Sequence, residues 1–149
     1  MGASPSHGET VRHIIVADED PAVVAFILHL LREDGHAAFH AYDAMSATQL
    51  ASALGDHCDL LISNTKVVGA DGVELIRELR GKRPTLPILY LANIGRSTPE
   101  LEAKLPPDIP IIREPFTADQ LRAAIGSLLD GGPPRPLARV PLQSKSTLS

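Results

Sequence analysis

The sequence predicts an α/β fold, a three-layer, doubly wound domain on a five-stranded parallel sheet. Two observations carry that expectation. Five short apolar runs rich in branched residues alternate with five helix-like stretches between the two ends of the chain. The runs are nearly continuously apolar, which suits strands buried on both faces and joined by right-handed helical crossovers. A hydrophobic content of 44% in 149 residues supplies one core of single-domain size.

The first run, HIIVA, begins at His13. The helix after it opens with Asp20 as N-cap and Pro21 at the first helical position. Gly35 stands where a left-handed residue would end that helix, just before the second run, AAFHA from Ala37. The third run is DLLIS from Asp59, and Asp71 with Glu74 has capping-box spacing for the helix that follows. PILYL from Pro87 is the fourth run, and Thr98–Pro99 repeats the N-cap and proline arrangement. IPII from Ile109 is the fifth, and Thr117 with Gln120 again has capping-box spacing. The domain is therefore expected over residues 13–130. Residues 1–12 are small and polar and residues 131–149 rich in Pro, Gly and Ser, so both are read as disordered tails.

A formal charge of −4 lacks the basic face that nucleic-acid phosphates require. No apolar stretch has the length of a membrane span or the form of a secretory leader, which predicts a cytoplasmic protein without membrane contact. Cys58 is the single cysteine, so neither a disulfide framework nor a cysteine zinc site is expected. His29, His36, His40 and His57 are read as ordinary surface or strand residues without a carboxylate partner one helical turn away. No nucleophile motif, phosphate-binding glycine loop or dinucleotide fingerprint is found, and the chain is not read as an enzyme.

In parallel doubly wound sheets the functional crevice lies beyond the carboxyl ends of the strands. The residues that fall there are Asp18, Glu19, Asn64, Ala92, Asn93 and Glu114. With their surroundings, IIVADEDP (14–21), DLLISNTKVVGADGVELIRELR (59–80), PILYLAN (87–93) and IIREPF (111–116), they resemble the receiver domains of two-component response regulators. The resemblance covers roughly Arg12 to Leu129 and implies a flavodoxin-like sheet of order 2-1-3-4-5.

The family's chemistry needs a carboxylate nucleophile that takes a phosphoryl group, an acidic pair that holds a divalent cation, and a hydroxyl and a lysine that bind the phosphoryl oxygens. Carried over residue by residue, the acidic pair is Asp18 and Glu19. The acceptor position is Asn64, a carboxamide that cannot form an acyl phosphate. The hydroxyl position is Ala92, the lysine position is Glu114, and the switch aromatic is replaced by Ile111. An anion about 4 Å from Glu114 would cost on the order of 4 kcal/mol at an effective dielectric near 20. Residual magnesium binding at Asp18 and Glu19 is expected to be weak or absent, because magnesium favours anionic oxygen ligands, and no other cofactor is implied. Glu114 is expected to pair with Lys66 across the crevice, and the Glu114–Pro115 bond to be cis as it often is in the family.

The reading that follows is a stand-alone, non-phosphorylatable receiver that binds a sensor histidine kinase, a phosphotransfer protein or another response regulator. A phosphorelay regulator with an unusual acceptor at Asp18 or Glu19, and less readily a small-molecule binder, are the alternatives. The stretch AVVAFILHLL from Ala22 is apolar on more than one stripe. With Val23, Phe26, Ile27, Leu30 and Leu31 taken as buried, Val24 and Leu28 form an outward pair. That pair is the expected surface for a partner or for self-association, with Arg122 on the alternative face.

Overall fold

The computed structural model describes residues 11–130. The apolar runs become β1 (His13–Ala17), β2 (Ala37–Ala41), β3 (Cys58–Asn64), β6 (Ile88–Ala92) and β7 (Ile111–Arg113). A two-residue antiparallel ribbon, β4 (Lys66–Val67) with β5 (Ala70–Asp71), fills the loop after β3. The helices are α1 (Pro21–Glu33), α2 (Ala44–Leu54), α3 (Gly72–Lys82), α4 (Pro99–Glu102) and α5 (Ala118–Leu129). The main sheet is parallel throughout, in the order β2-β1-β3-β6-β7. Leaving the ribbon aside, this is the expected order 2-1-3-4-5.

Alternate strand residues face opposite layers. Ile15, Leu61 and Tyr90 pack with α2 and α3, while Ile14, Ile62 and Leu91 pack with α1 and α5. Local capping sets the helix starts. Asp20 accepts from the Ala22 N–H at 3.0 Å, and Thr117 and Gln120 complete a reciprocal capping box. Thr98 caps α4, which has only four residues. Pro106 and Pro107 bar helical continuation a turn later, since neither has an N–H to give. At the start of α3, Gly72 is required. A Cβ there would overlap the Asn64 carbonyl oxygen, so glycine alone lets the helix approach the end of β3.

Three expectations need correction. The first is the phase of α1. Val24 is 5% exposed and lies inward with Ile27, Leu30 and Leu31, whereas Phe26 is 41% exposed. The inward residues follow the helical repeat from position 24, which turns position 26 to the far side. The Phe26 ring packs instead against Phe116, two residues before α5, with centroids 6.2 Å apart. Val24 is thus unavailable to a partner, and Leu28 is partly buried against the same core.

The second correction is the amino-terminal boundary. The Arg12 guanidinium donates to the Leu129 carbonyl at 2.7 Å and its carbonyl accepts from Ala37 at 2.8 Å, so Arg12 belongs to the fold. Residues 1–10 and 131–149 of the two assigned tails lie outside the described residues. The third is His29, which does face a carboxylate one turn on, Glu33, at 3.2 Å. Arg122 donates to Asp34 and Glu33, each at 3.0 Å. Its guanidinium therefore joins α5 to the end of α1 within the chain.

Candidate functional site

The ends of β1, β3, β6 and β7 bring Asp18, Asn64, Asn93 and Glu114 into one hydrogen-bonded group. Asn64 is 1% exposed, as is Asp18. Its carboxamide nitrogen donates to Asp18 Oδ2 at 2.9 Å and to Glu114 Oε2 at 2.7 Å. The carboxamide oxygen accepts from the Lys66 N–H at 3.1 Å. Only an NH2 edge can face two carboxylates at once, so the neutral residue at the acceptor position bridges the two acids on either side. Glu114 uses its other oxygen to accept from Asn93 Nδ2 at 3.0 Å. The Glu114–Pro115 peptide is cis.

The expected pair between Glu114 and Lys66 is not formed. Lys66 Nζ stands 3.8 Å from Glu19 Oε2. The reason is a backbone tie, because the Glu19 N–H donates to the Lys66 carbonyl at 3.1 Å and holds those two side chains together. Ala92 is 3% exposed and Ile111 1% exposed; neither has a polar side-chain atom to offer. Among the described residues no three acidic, histidine or cysteine side chains are grouped to hold a metal ion. Asp18 Oδ2 receives an N–H from Asn64 and Oδ1 one from Asp20 at 2.9 Å.

Burial pushes the Asp18 carboxyl up to about 6 from an ordinary 3.8. The N–H groups of Asp20 and Asn64 oppose the rise, and the nearby charges of Glu114 and Asp20 add to it. Because the folded value is the higher one, folding binds a proton between about pH 4 and pH 6, and stability falls as pH rises through that window. The full effect is about 3 kcal/mol at one unit per 1.36 kcal/mol. Asp18→Asn should flatten that part of the pH dependence. Urea titrations from pH 4 to pH 7 on both proteins measure it, and equal slopes would show that Asp18 does not carry the proton.

Two features had little sequence signal. Tyr90 is fully buried in β6 with its hydroxyl bonded to Thr65 and Ser97. The only hint was that a tyrosine inside an apolar strand needs a polar partner. Beside the crevice, an open apolar groove of about 560 Å³ is lined by Val23, Phe26, Ile94, Glu114 and Phe116. Ile94 is 69% exposed at its edge.

The strand order, with carboxylates gathered where the sheet's connections change direction, defines a doubly wound domain of the receiver class. A family model for the response regulator receiver domain matches residues 14–125, and the chain belongs to that family. It is 29% identical over 124 residues to the transcriptional regulatory protein TcrA of Mycobacterium tuberculosis, covering 83% of this chain and 48% of TcrA. Against the transcriptional regulatory protein FixJ of Bradyrhizobium diazoefficiens it is 28% identical over 120 residues, covering 80% and 58%. The chain spans about half the length of these curated relatives. A response regulator receiver domain protein from Clostridium thermocellum superposes with a TM-score of 0.71 at 20% identity, over 81% of this chain and 96% of that one. No described helix is long and apolar enough to cross a membrane.

Proposed function

We propose that this receiver domain serves two-component or phosphorelay signalling in the cytoplasm as a protein-binding module that takes no aspartyl phosphate and is not an enzyme. One observation carries the reading. Asn64 stands at the acceptor position, and its carboxamide is committed to bridging Asp18 and Glu114. A carboxamide is not a phosphoryl acceptor, and a phosphoryl group entering beside Glu114 would meet its charge. Transfer to Asp18 instead is disfavoured by its burial and by the donors on both its oxygens.

The partner we favour is the helical dimerisation domain of a sensor histidine kinase, docking on α1 beside the crevice. What supports the site is the groove between Phe26, Ile94 and Phe116, with Glu114 in its lining. That combination suits a helix with an apolar anchor and a neighbouring cation. The face replaces the Val24 and Leu28 pair, and Arg122 is engaged within the chain.

Acetyl phosphate with magnesium should leave the intact mass of the protein unchanged, even after prolonged incubation. An acid-labile phosphoryl adduct on the wild-type chain would overturn the reading. Mapping that adduct to Asp18 or Glu19 would establish the phosphorelay alternative in its place.

A further inference from the structure

Two hydrogen-bonded anchors converge on the segment between β6 and α4. The first starts at the crevice, where Asn93 donates its side-chain N–H to Glu114 at 3.0 Å and its backbone N–H to Thr65 Oγ1 at 3.0 Å. The second is a run of side chains. Arg113 grips both oxygens of Glu102 at 2.8 Å and 2.7 Å. Ser97 donates to Glu102 Oε2 at 2.6 Å, and the Tyr90 hydroxyl lies 2.8 Å from Ser97 Oγ and 2.6 Å from Thr65 Oγ1.

Proton count fixes the direction of this run. Glu102 only accepts, so Ser97 spends its hydrogen there and must accept from Tyr90. Tyr90 then accepts from Thr65 at 2.6 Å, in preference to the longer 3.2 Å contact of that hydroxyl with the Leu91 carbonyl, and the Thr65 oxygen accepts from the Asn93 N–H. Every hydroxyl gives and receives in one sense from β6 to Glu102, the arrangement in which successive bonds polarise one another. Between the anchors, the Arg96 and Ser97 N–H groups both donate to the Asn93 carbonyl at 3.1 Å and 3.0 Å. Gly95 makes that turn at φ +83°.

We infer that these two anchors are a lock that holds residues 93–102 in a single conformation and joins the crevice rigidly to the face formed by Glu102 and Arg113. The groups at the old acceptor and lysine positions, Asn64 and Glu114, thereby become positioning residues for this segment. Tyr90 supplies from β6 a fixed aromatic beneath it, while Ala92 and Ile111 provide no group that could report a modification. The inference concerns the domain alone and does not depend on which partner it binds.

Amide hydrogen exchange read by NMR tests the lock. In the wild-type protein the Arg96 and Ser97 amides should be protected. Asn93→Ala removes the side-chain bond to Glu114 from the crevice anchor and leaves the backbone bond to Thr65, and Tyr90→Phe cuts the hydroxyl run while keeping the ring. Each should speed Arg96 exchange at least about tenfold, with Ile15 and Leu61 in the sheet unchanged, because the opening is local. If Tyr90→Phe also speeds the sheet amides, Ser97→Ala breaks the same run from the loop side and should speed Arg96 alone. Fast Arg96 exchange in the wild type, or an unchanged rate in Asn93→Ala and Ser97→Ala, overturns the lock.

Discussion

Asn64→Asp should cost the domain about 3–5 kcal/mol of stability at neutral pH without divalent cations, the range for breaking a buried, hydrogen-bonded charge network. The substitution removes the two N–H groups that Asp18 and Glu114 share and adds a third carboxylate between them. Asp18 already holds its proton up to about pH 6 with a neutral neighbour. A third acid should raise the group's proton affinity further, so the loss should shrink as pH falls. Millimolar magnesium or calcium should restore part of it, because three carboxylates form a donor set for a hard cation.

Phosphorylation of the variant should stay inefficient even with magnesium, since Glu114 remains where the family has a cation. Urea titrations at pH 7 with chelator and with magnesium measure the first effect, and intact mass after acetyl phosphate the second. Wild-type stability in chelator would refute the bridging role. Efficient adduct formation would show that Glu114 is not the obstacle.

What could be read from the sequence was whatever is decided locally. β1 and β2 occupy the spans expected from their apolar runs, and the caps at Asp20, Asp71 and Thr117 work within three residues of themselves. The crevice residues followed from strand ends alone. What could not be read depends on partners distant in the chain. Lys66 goes to Glu19 rather than Glu114 because of a backbone bond between segments 47 residues apart in numbering, from 19 to 66. The bonds from Tyr90 to Thr65 and from Asn93 to Glu114 likewise join separate strand ends. The phase of α1 departs from the expected one because its largest apolar side chain, Phe26, is 41% exposed rather than in the core. Its ring had a second home against Phe116, which only tertiary structure supplies.

The phase of α1 sets the sharpest contrast between neighbouring substitutions. Val24→Glu and Phe26→Glu, two residues apart on α1, should act on different properties. Val24 is 5% exposed, so a glutamate there would bury its carboxylate. The cost should be about 3–5 kcal/mol, the scale of an uncompensated buried charge. Phe26 is 41% exposed, so its replacement loses the contact with Phe116, worth about 0.5–1.5 kcal/mol, while the new carboxylate stays in water. At that position the effect should appear in binding. A charge at the wall of the apolar groove, close to Glu114, should weaken docking of a helical partner at least about tenfold, or about 1.4 kcal/mol. Denaturant titration separates the two variants by stability. Affinities for a panel of dimerisation domains from the host's sensor histidine kinases test the rest. Wild-type affinity of a folded Phe26→Glu across that panel would move the partner surface away from α1. A folded Val24→Glu of near wild-type stability would mean that the helix phase seen here is not the one in solution.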